Sequence, residues 1–516
     1  MKSIVIFFDD KNSKYKNEKI FNGKSALEES VVWAENLCKK GLVSKAVTVS
    51  GADSVSELFG KMSSLCIEES ADFAVFAWND LPFLNEALTQ ELINTHLEYK
   101  AEYTFADGYP YGFAPEIIDA GVLKNLYELS KANFSEEGNK KVCRESLYNF
   151  IKQDINSFEV ETVIADDDWR LFRFSFDCGS KEHFTACKNL LPLLAGKEKL
   201  SVNDISKIAS KASGILKTVP AFYNIQISDF VSSDCIYSPY CAEYSKKYNL
   251  DALKSKNFMP YDKFAMLVDK AANFSENAVI GLSLWGEALS NPDCLKMIEK
   301  VLSYKGLSVF IETDGLFVTD DFCAELQNIQ NKAEERTNGW AKIMIAVQID
   351  AFSDAVYKSI HKNCRDDAFG AAVASVSKLC GAIGANVYPQ FVRMNQNEDE
   401  LEGFFRYWSE KSNASGGNLI IQKYDDFAGL LPECKPADLS PLERNVCWHL
   451  RRDMNILLNG DVTLCKTCLF DEIKGNAFEN SLEEIWQNMD DALNHHISEN
   501  YCEKCRKCDE YYTYNF

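Results

Sequence analysis

Six cysteines crowd into the last seventy residues of the chain, and this cluster most constrains how the chain can fold. They are Cys447, Cys465, Cys468, Cys502, Cys505 and Cys508. The chain has 516 residues and eighteen cysteines, and the other twelve are scattered over the first 446 positions. In a reducing compartment, closely spaced thiols act as metal ligands rather than as disulfides. The cluster therefore predicts a metal site, whereas we expect the scattered cysteines to be small buried hydrophobic residues.

The composition and the N-terminal sequence indicate where the protein is located and which kinds of partner it can bind. The first apolar run ends at Asp9 and Asp10, so it is too short for a signal peptide and is typical of a buried strand. No stretch reaches the roughly eighteen apolar residues of a transmembrane helix, and we predict a cytoplasmic protein. The formal net charge of −22 disfavours nucleic acid and anionic membranes, because phosphates would be repelled. A small-molecule or peptide substrate is the expected partner.

Apolar periodicity divides the chain into regions, and its length suggests about three domains. In residues 1–196 short apolar strands alternate with helical segments, which predicts an α/β domain. Residues 197–218 are expected to form one or two linking helices. Residues 219–439 alternate more regularly, which predicts a parallel sheet or partial barrel with ligands at the carboxyl ends of its strands. Residues 440–516 hold the cysteine cluster.

The predicted elements follow apolar runs of the appropriate period. In the first region they are strands at 4–8, 46–50 and 73–77 and a helix at 26–38. In the second region the predicted strands are 223–227, 278–284, 308–311, 342–349, 386–392 and 418–422. The predicted helices between them are 261–273, 292–304, 321–332 and 369–383.

Local spacing predicts how the first two clustered cysteines meet. Asn459-Gly460 is a strong hairpin turn between alternating strands at 454–458 and 462–464. Such a hairpin returns Cys465 to the start of its first strand, beside Cys447.

The identity of the metal stays open at this level. Cys465-x2-Cys468 together with Cys502-x2-Cys505 is a plausible tetrahedral zinc pattern. An iron–sulfur cluster also needs about four converging thiolates. Spacing alone does not separate the two metals.

Further residues give the cysteine region a family resemblance. Cys447, Gly460-x4-Cys465, Gly475-Asn476, Ser-Leu-Glu-Glu-Ile-Trp at 481–486 and Cys502-x2-Cys505 resemble the SPASM/twitch domain of radical SAM proteins. Longer members have seven cysteines and two auxiliary clusters, whereas this chain stops after Cys508, so the resemblance implies one 4Fe-4S cluster. It implies Cys447, Cys465, Cys502 and Cys505 as ligands, with Cys468 and Cys508 as possible substitutes.

Three strand-end elements in the second region resemble the radical SAM fold. They lie at 283–287, 311–315 and 347–351, and the first contains Gly286 and Glu287. The resemblance implies that Gly286 and Glu287 meet the amino group of S-adenosylmethionine. A carboxylate at the end of a buried strand suits an ammonium group, although a capping or turn role explains Glu287 alone equally well.

The cysteine motif of that fold is incomplete here. Alignment on Cys-Ile-Tyr-Ser-Pro at 235–239 puts the family's Cys-x3-Cys-x2-Cys on Val231, Cys235 and Ser238. Valine cannot ligate iron, and the serine hydroxyl is a hard ligand that resists deprotonation. Recruiting Cys241 would still give only two thiolates. We therefore expect no reductive cleavage of S-adenosylmethionine, although the chain could still bind it.

The first region resembles cytidylyltransferases and related nucleotidyltransferases. Asp80-Leu-Pro82 matches their Asp-x-Pro strand end, whose aspartate binds magnesium on the nucleotide phosphates, and residues 109–116 resemble their substrate loop. The resemblance implies a Mg-nucleotide at Asp80. The family's glycine-rich phosphate loop is missing, since no glycine occurs before Gly23. A turn aspartate before a proline is the alternative role of Asp80.

Taken together, the three regions are similar to the spiro-SPASM proteins, the spirochaete-type SPASM family, over nearly the whole chain, including the tail at 508–516. Our first hypothesis is an iron–sulfur protein that binds a substrate or peptide without radical SAM turnover. The second is a bifunctional enzyme that modifies a nucleotide-linked sugar or glycan. The third is a zinc-stabilised scaffold for partner proteins.

Overall fold

Apolar segments that are buried on both faces form the central strands of two separate sheets. The computed structural model describes residues 1–131, 137–197, 200–437, 440–441 and 443–512. The chain divides into two units, Met1–Thr218 and Val219–Phe516, each with one of these sheets. The predicted boundary at residue 439 and the tail at 513–516 lie outside the described residues.

The first unit is an α/β domain built on a six-stranded mixed sheet. Its strands are β1 (Ser3–Asp9), β2 (Ala46–Ser50), β3 (Phe73–Trp78), β4 (Tyr103–Asp107), β5 (Glu116–Asp119) and β6 (Val160–Ile164). Its helices are α1 (Ala26–Lys39), α2 (Val55–Glu69), α3 (Glu86–Tyr99), α4 (Ala120–Lys131), α5 (Ser146–Ile151), α6 (Lys181–Leu194), α7 (Val202–Ala209) and α8 (Ser213–Leu216). The strand order is β2-β1-β3-β5-β4-β6, and β5 runs antiparallel to both of its neighbours.

Local sequence signals explain where the helices of the first unit begin. Ser25 caps α1 and forms a capping box with Glu28, while Ser54 and Asn85 cap α2 and α3 with their side chains. The three predicted strands and the predicted helix are present as β1, β2, β3 and α1. Helices α7 and α8 occupy the stretch where linking helices were predicted.

The second unit contains the remaining strands and helices. Its strands are β7 (Phe222–Ile225), β8 (Asp234–Cys235), β9 (Ala278–Gly281), β10 (Leu307–Thr313), β11 (Ile343–Gln348), β12 (His361–Lys362), β13 (Val387–Arg393), β14 (Ile420–Lys423), β15 (Asp453–Ile456), β16 (Asp461–Thr463) and β17 (Ile473–Asn476). Its helices are α9 (Tyr240–Tyr248), α10 (Tyr261–Ser275), α11 (Cys294–Leu302), α12 (Asp320–Lys332), α13 (Asp354–Ile360), α14 (Ala368–Ile383), α15 (Leu401–Trp408), α16 (Trp448–Arg452), α17 (Leu482–Gln487), α18 (Asp490–Ile497) and α19 (Glu503–Lys507). Across the described ranges, no helix is both long and apolar enough to cross a lipid bilayer.

Six parallel strands of the second unit lie side by side in chain order, from β7 through β9, β10, β11 and β13 to β14. Helices connect most of these strands, as in a (β/α) barrel that is not closed. The six predicted strands and four predicted helices of this region are all present. The predicted α/β fold class with a partial barrel is confirmed.

The cysteine-rich region continues the sheet of the partial barrel. Strand β15 pairs in parallel with β7, so that Asp453 lies opposite Phe222 and Ile456 lies opposite Ile225. Strands β16 and β17 extend the sheet in antiparallel order. The barrel and the cysteine-rich region therefore share one nine-stranded sheet.

A common apolar core supports this shared sheet. Helix α11 buries Met297, Ile298 and Val301 completely. The same cluster of packed side chains includes Ile485 and Trp486 of α17, more than 180 positions away along the chain. Each fully buried large apolar side chain contributes about 1.5–3 kcal/mol, so packing as well as strand pairing holds the cysteine-rich region.

A separate two-stranded ladder links the segment after β7 to the segment after α13. Strands β8 and β12 pair in antiparallel order, with His361 opposite Cys235 and Lys362 opposite Asp234. The sequence did not predict this ladder, because two residues are too few to show a strand period.

The hairpin turn before β16 generates a stability prediction. Gly460 has a φ of +88°, and a Cβ at this position would lie 2.5 Å from the Phe478 ring and 2.7 Å from Asn476 Oδ1. A positive φ alone costs a non-glycine residue about 1 kcal/mol. We expect Gly460→Ala to destabilise the second unit by more than this, because the added methyl also overlaps its neighbours. Urea denaturation followed by tryptophan fluorescence measures the loss.

Gly416→Ala is the matched control, since Gly416 has a φ of +64° but nothing lies within 4 Å of an added Cβ. The stability of this variant should fall only by the cost of the positive φ. Equal losses of stability in the two variants would contradict the close approach at Gly460.

Candidate metal centre and cavity

The hairpin predicted from Asn459-Gly460 forms, and it brings Cys465 back towards Cys447. Cys447 directly precedes α16, which leads into β15, and Cys465 follows β16 after one residue. Because β16 runs antiparallel to β15, it returns the chain towards the start of β15. Burial raises the pKa of Cys447 to about 12, and the neighbouring Cys465 thiol adds to this effect.

Two cysteines at the last helix, one within it and one directly after it, interact with Cys447 and Cys465. Cys505 lies within α19 and Cys508 directly follows it. Burial raises the pKa of Cys505, and the neighbouring Cys502 raises it further, followed by Cys465 and Cys447. Burial also raises the pKa of Cys508, and Cys447 and Cys465 add to this effect. Cys447, Cys465, Cys505 and Cys508 therefore converge on one another from three separate segments.

The other two clustered cysteines take different positions. Cys502 is exposed, and its Sγ accepts a hydrogen bond from the backbone N–H of Cys505 at the start of α19. Cys468 is buried in the apolar core, with its Sγ 3.6 Å from the Sγ of Cys465. The sequence resemblance favoured Cys502 over Cys508. Spacing alone does not show which of the two is the more exposed, because exposure depends on how α19 packs.

Lys423, the last residue of β14, holds the segment that follows Cys508. Its ammonium group lies 3.0 Å from Asp509 Oδ1 and 2.6 Å from Glu510 Oε1. Lys435 pairs with Asp509 as well. Burial lowers the pKa of Lys423, but Glu510 and Asp509 outweigh burial and raise it. These largely buried ion pairs fix the last cysteine beside the edge of the barrel sheet.

One cavity of about 190 Å³ joins these thiols to the strand ends of the partial barrel. Its lining includes five clustered cysteines, namely Cys447, Cys465, Cys468, Cys505 and Cys508. From the barrel it includes Trp285, Glu287, Glu312 and Gln390, and also Cys235 and Cys241. Cys502 does not belong to this lining.

Several polar atoms of this lining lack hydrogen-bond partners within the described part of the chain. They are Trp285 Nε1, Gln390 Oε1 and His496 Nε2, and all three side chains are more than nine-tenths buried. Burial, Arg444 and His495 lower the pKa of His496 to about 4, so its ring is neutral. An unpaired buried polar atom costs about 1–3 kcal/mol, which a ligand in the cavity would relieve.

The thiols suit a thiophilic metal centre by their chemistry. Four cysteines supply the soft donors that iron–sulfur clusters require. Without a cation, burial and mutual repulsion keep these thiols protonated, as their raised pKa values indicate. Metal binding would therefore release protons and couple to the folding of the segments that carry the ligands.

The strand-end element at Gly286 and Glu287 is engaged by the protein itself. Glu287 Oε1 accepts hydrogen bonds from Leu289 N at 3.0 Å and Thr313 Oγ1 at 2.8 Å, and Oε2 accepts one from Asp314 N at 3.0 Å. Burial, reinforced by Asp314, raises the pKa of this carboxyl well above its usual value. A Cβ at Gly286, whose φ is +81°, would overlap the carbonyl oxygen of Ser228. The capping role of Glu287 is thus present, and S-adenosylmethionine binding there stays a prediction.

The positions of the incomplete cysteine motif have other partners. Val231 packs against an apolar cluster that contains Trp285, and Ser238 Oγ accepts a hydrogen bond from the backbone N–H of Tyr240. The Cys241 thiol lies 3.9 Å from the carbonyl oxygen of Ser233. Cys235 contacts His361, to which it lies opposite in the short ladder.

In the first unit, Asp80 forms a buried ion pair with an arginine. Arg144 donates to both of its carboxylate oxygens, at 2.7 and 2.6 Å, and Ser13 Oγ donates to Oδ2 at 2.7 Å. The guanidinium also stacks on Trp78 at 4.1 Å and lies 3.4 Å from Asp177 Oδ1. The arginine therefore occupies the oxygens that a magnesium ion would need, and the Mg-nucleotide at Asp80 stays a prediction.

The partners of Asp80 leave no local signal in the sequence. Arg144 lies 64 positions away from Asp80, and Asp177 lies close to His183, with Oδ2 at 2.8 Å from Nδ1. Burial lowers the pKa of His183, but Asp177 outweighs it and raises the pKa to about 9. No local pattern marks the pair of Arg144 and Asp80, because only the fold brings these distant positions together.

Comparison with known proteins matches the cysteine region to a family. Residues 447–509 match SPASM, an iron-sulfur cluster-binding domain. An uncharacterized protein of Treponema pallidum (strain Nichols) is 35% identical over 382 residues, which cover 72% of this chain and 99% of that protein.

Two solved structures are similar at low identity. Streptococcus suis SuiB bound to the precursor peptide SuiA is 15% identical, with a TM-score of 0.42, over 68% of this chain and 88% of SuiB. A cytidylyltransferase from Leptospira borgpetersenii is 15% identical, with a TM-score of 0.34, over 42% of this chain and 98% of that one.

The ion pair at Asp80 should stabilise the first unit measurably. Arg144→Met would leave the buried carboxylate of Asp80 without its counter-charge, while Asp177 would keep only His183. Breaking such a pair from one side costs about 3–5 kcal/mol. We expect faster amide hydrogen exchange throughout the first unit, measured by mass spectrometry on the full chain.

Arg170→Met is the control in the same unit. Arg170 pairs with Asp168 on the surface, where both side chains are more than half exposed, and surface pairs contribute little. Unchanged exchange in Arg144→Met would mean that the buried pair does not hold this site together.

Proposed function

We propose that this chain, a spiro-SPASM protein with a SPASM domain at residues 447–509, holds one 4Fe-4S cluster beside a substrate-binding cavity. The chain belongs to the same family as its Treponema pallidum relative. The observation that carries this proposal is the convergence of four thiols on one end of a cavity whose other lining comes from the barrel. The protein would act in the cytoplasm, where thiols stay reduced.

Cys447, Cys465, Cys505 and Cys508 are the proposed ligands of the cluster. Each of the last two thiols interacts electrostatically with both of the first two. Cys502 is exposed and lies outside the cavity lining, which favours Cys508 over it. When bound, the cluster would supply a redox-active centre, while the chain's own residues would bind and orient the ligand.

The proposed ligand is a small polar molecule or the side chains of a bound peptide. Gln390 Nε2 donates to Glu312 Oε1 at 3.2 Å, which fixes the amide, and Gln390 Oε1 has no hydrogen-bond partner among the described residues. That oxygen accepts from a ligand N–H or O–H, whereas Trp285 Nε1 donates. The cavity of about 190 Å³ suits a ligand of this size more than a folded partner.

We also propose that the protein does not cleave S-adenosylmethionine reductively. Cleavage needs an iron with an open position held by three thiolates, and Val231 and Ser238 remove two of the three. Cys235 instead has His361 as its partner.

The ligand assignment predicts how iron content responds to two substitutions. Protein purified without oxygen should be brown and contain about four irons and four sulfides per chain. Cys508→Ala should lose most of the iron, because a ligand is removed, whereas the matched variant Cys502→Ala should keep it. Elemental analysis and the visible absorption spectrum measure both. Iron loss in Cys502→Ala alone would favour the ligand set implied by the family resemblance, and a colourless protein with stoichiometric zinc would refute the iron cluster.

The chemistry of the barrel is tested separately. Reconstituted protein incubated with dithionite and S-adenosylmethionine should accumulate no 5′-deoxyadenosine, as measured by liquid chromatography. Catalytic accumulation that survives Cys447→Ala and Cys465→Ala but stops in Cys235→Ala would show that the barrel retains radical SAM activity.

A further inference from the structure

A cysteine, a histidine and an aspartate are neighbours beside the cavity, at a place where neither the family match nor the proposed function assigns a role. Cys235 and His361 face each other in the ladder of β8 and β12, so their side chains are nearest neighbours across the two strands. His361 Nε2 lies 3.0 Å from Asp350 Oδ2. His361 and Asp350 are almost completely buried, whereas Cys235 is partly exposed and lines the cavity.

The aspartate is held firmly in one orientation. Asp350 Oδ1 accepts a hydrogen bond from Val392 N at 2.7 Å, and Oδ2 accepts one from Tyr237 OH at 2.9 Å. Asn397 Nδ2 donates to the Asp350 carbonyl at 2.8 Å. Asp350 also has a φ of +57°, a left-handed conformation that a non-glycine residue adopts at a cost. Surrounding contacts thus fix the carboxylate against one nitrogen of the histidine ring.

That contact occupies Nε2, and Ser233 Oγ lies 3.5 Å from the other ring nitrogen, Nδ1. The Cys235 side chain lies opposite the ring in the ladder and interacts with it electrostatically. The groups that face the ring are Asp350 from the end of β11, Cys235 and Tyr237 from the region of β8, and Tyr357 of α13, stacked on it at 4.3 Å. Burial lowers the pKa of His361, but Cys235 and Asp350 outweigh it and raise the pKa to about 10. Burial raises the pKa of Tyr237 and of Tyr357, so both phenol groups stay neutral near neutral pH.

We propose that Cys235 is a nucleophile for acyl transfer, with His361 as its base and Asp350 as the residue that positions the ring. A thiol next to an imidazole, which is itself oriented by a carboxylate, is the arrangement that activates cysteine in unrelated hydrolases and transferases. The Cys235 thiolate would attack the carbonyl carbon of an ester or thioester bound in the cavity. This site does not depend on the cluster, because none of its three residues is a proposed ligand.

The proton balance favours an acyl donor over a simple alkylating substrate. In the resting pair His361 already holds the proton of the Cys235 thiol, so the thiolate attacks and the imidazolium gives this proton to the alcohol or thiol that leaves. The neutral His361 then takes a proton from the water or amine that attacks the acyl–Cys235 thioester, and the thiolate–imidazolium pair is restored as the thioester bond breaks. No electrons are exchanged. In an alkylation the leaving group would need no proton, so His361 would have no role as a general acid.

The test uses the full chain, purified without oxygen and loaded with iron. Iodoacetamide labelling from pH 6 to 9 is followed by peptide mass spectrometry, with the exposed Cys143 as internal reference. At pH 6 Cys235 should react about tenfold faster than Cys143, because a histidine-paired thiol is already thiolate where a free thiol is protonated. His361→Gln should reduce this rate to that of Cys143. p-Nitrophenyl acetate should leave an acetyl group on Cys235 that is lost in Cys235→Ser.

Wild-type protein alone can overturn the proposal, even if the buried His361 variant fails to fold. A Cys235 labelling rate that rises with pH in parallel with Cys143 would exclude a paired thiolate. Protection of Cys235 at every pH, relieved by an iron chelator, would identify it as a metal ligand instead. Rapid alkylation without any acetylation would retain the thiolate but refute the acyl-transfer role.

Discussion

The parallel pairing of β15 with β7 is the interaction on which the arrangement of the second unit depends. It fixes four residues of the cysteine-rich region in register with the first strand of the barrel. Asn224 Nδ2 donates to Asn455 Oδ1 at 3.0 Å across this pair, and Leu458 N donates to Gln226 Oε1 at 3.1 Å just beyond it. Because both regions belong to one sheet, the thiols and the barrel lining face a common cavity rather than two separate surfaces.

This shared sheet also sets the balance between polar and apolar groups around the cavity. Barrel strands contribute Glu312, Gln390 and Gln422 at positions where a sealed core would have aliphatic side chains. Gln390 contacts both of the others through its amide. Such a row of polar side chains lowers stability compared with apolar packing. Its cost is smallest where a ligand completes the hydrogen bonds of the row.

The sequence predicted the parts of the fold that depend on local order. Strands such as β10 and β11 are apolar runs of the right length, and helices such as α10 and α14 have a clear helical period, so periodicity located them. The hairpin at Asn459-Gly460 followed from turn chemistry. Contacts that join distant segments could not be found in this way. Arg144 reaches Asp80, and His361 reaches Cys235, only because the fold brings their segments together. The exposure of Cys502 and the burial around Cys508 likewise depend on which side of α19 faces the cavity.

The Gly286-Glu287 pair has a structural role that is independent of any ligand. A side chain at Gly286 would collide with the backbone at Ser228, and the Glu287 carboxylate accepts hydrogen bonds from three neighbouring groups. The fold alone would therefore require both residues, whether or not the cavity binds a nucleoside cofactor. A substitution at either position would disturb the strand end before it could report on ligand binding, so neither residue by itself separates a structural role from a binding role.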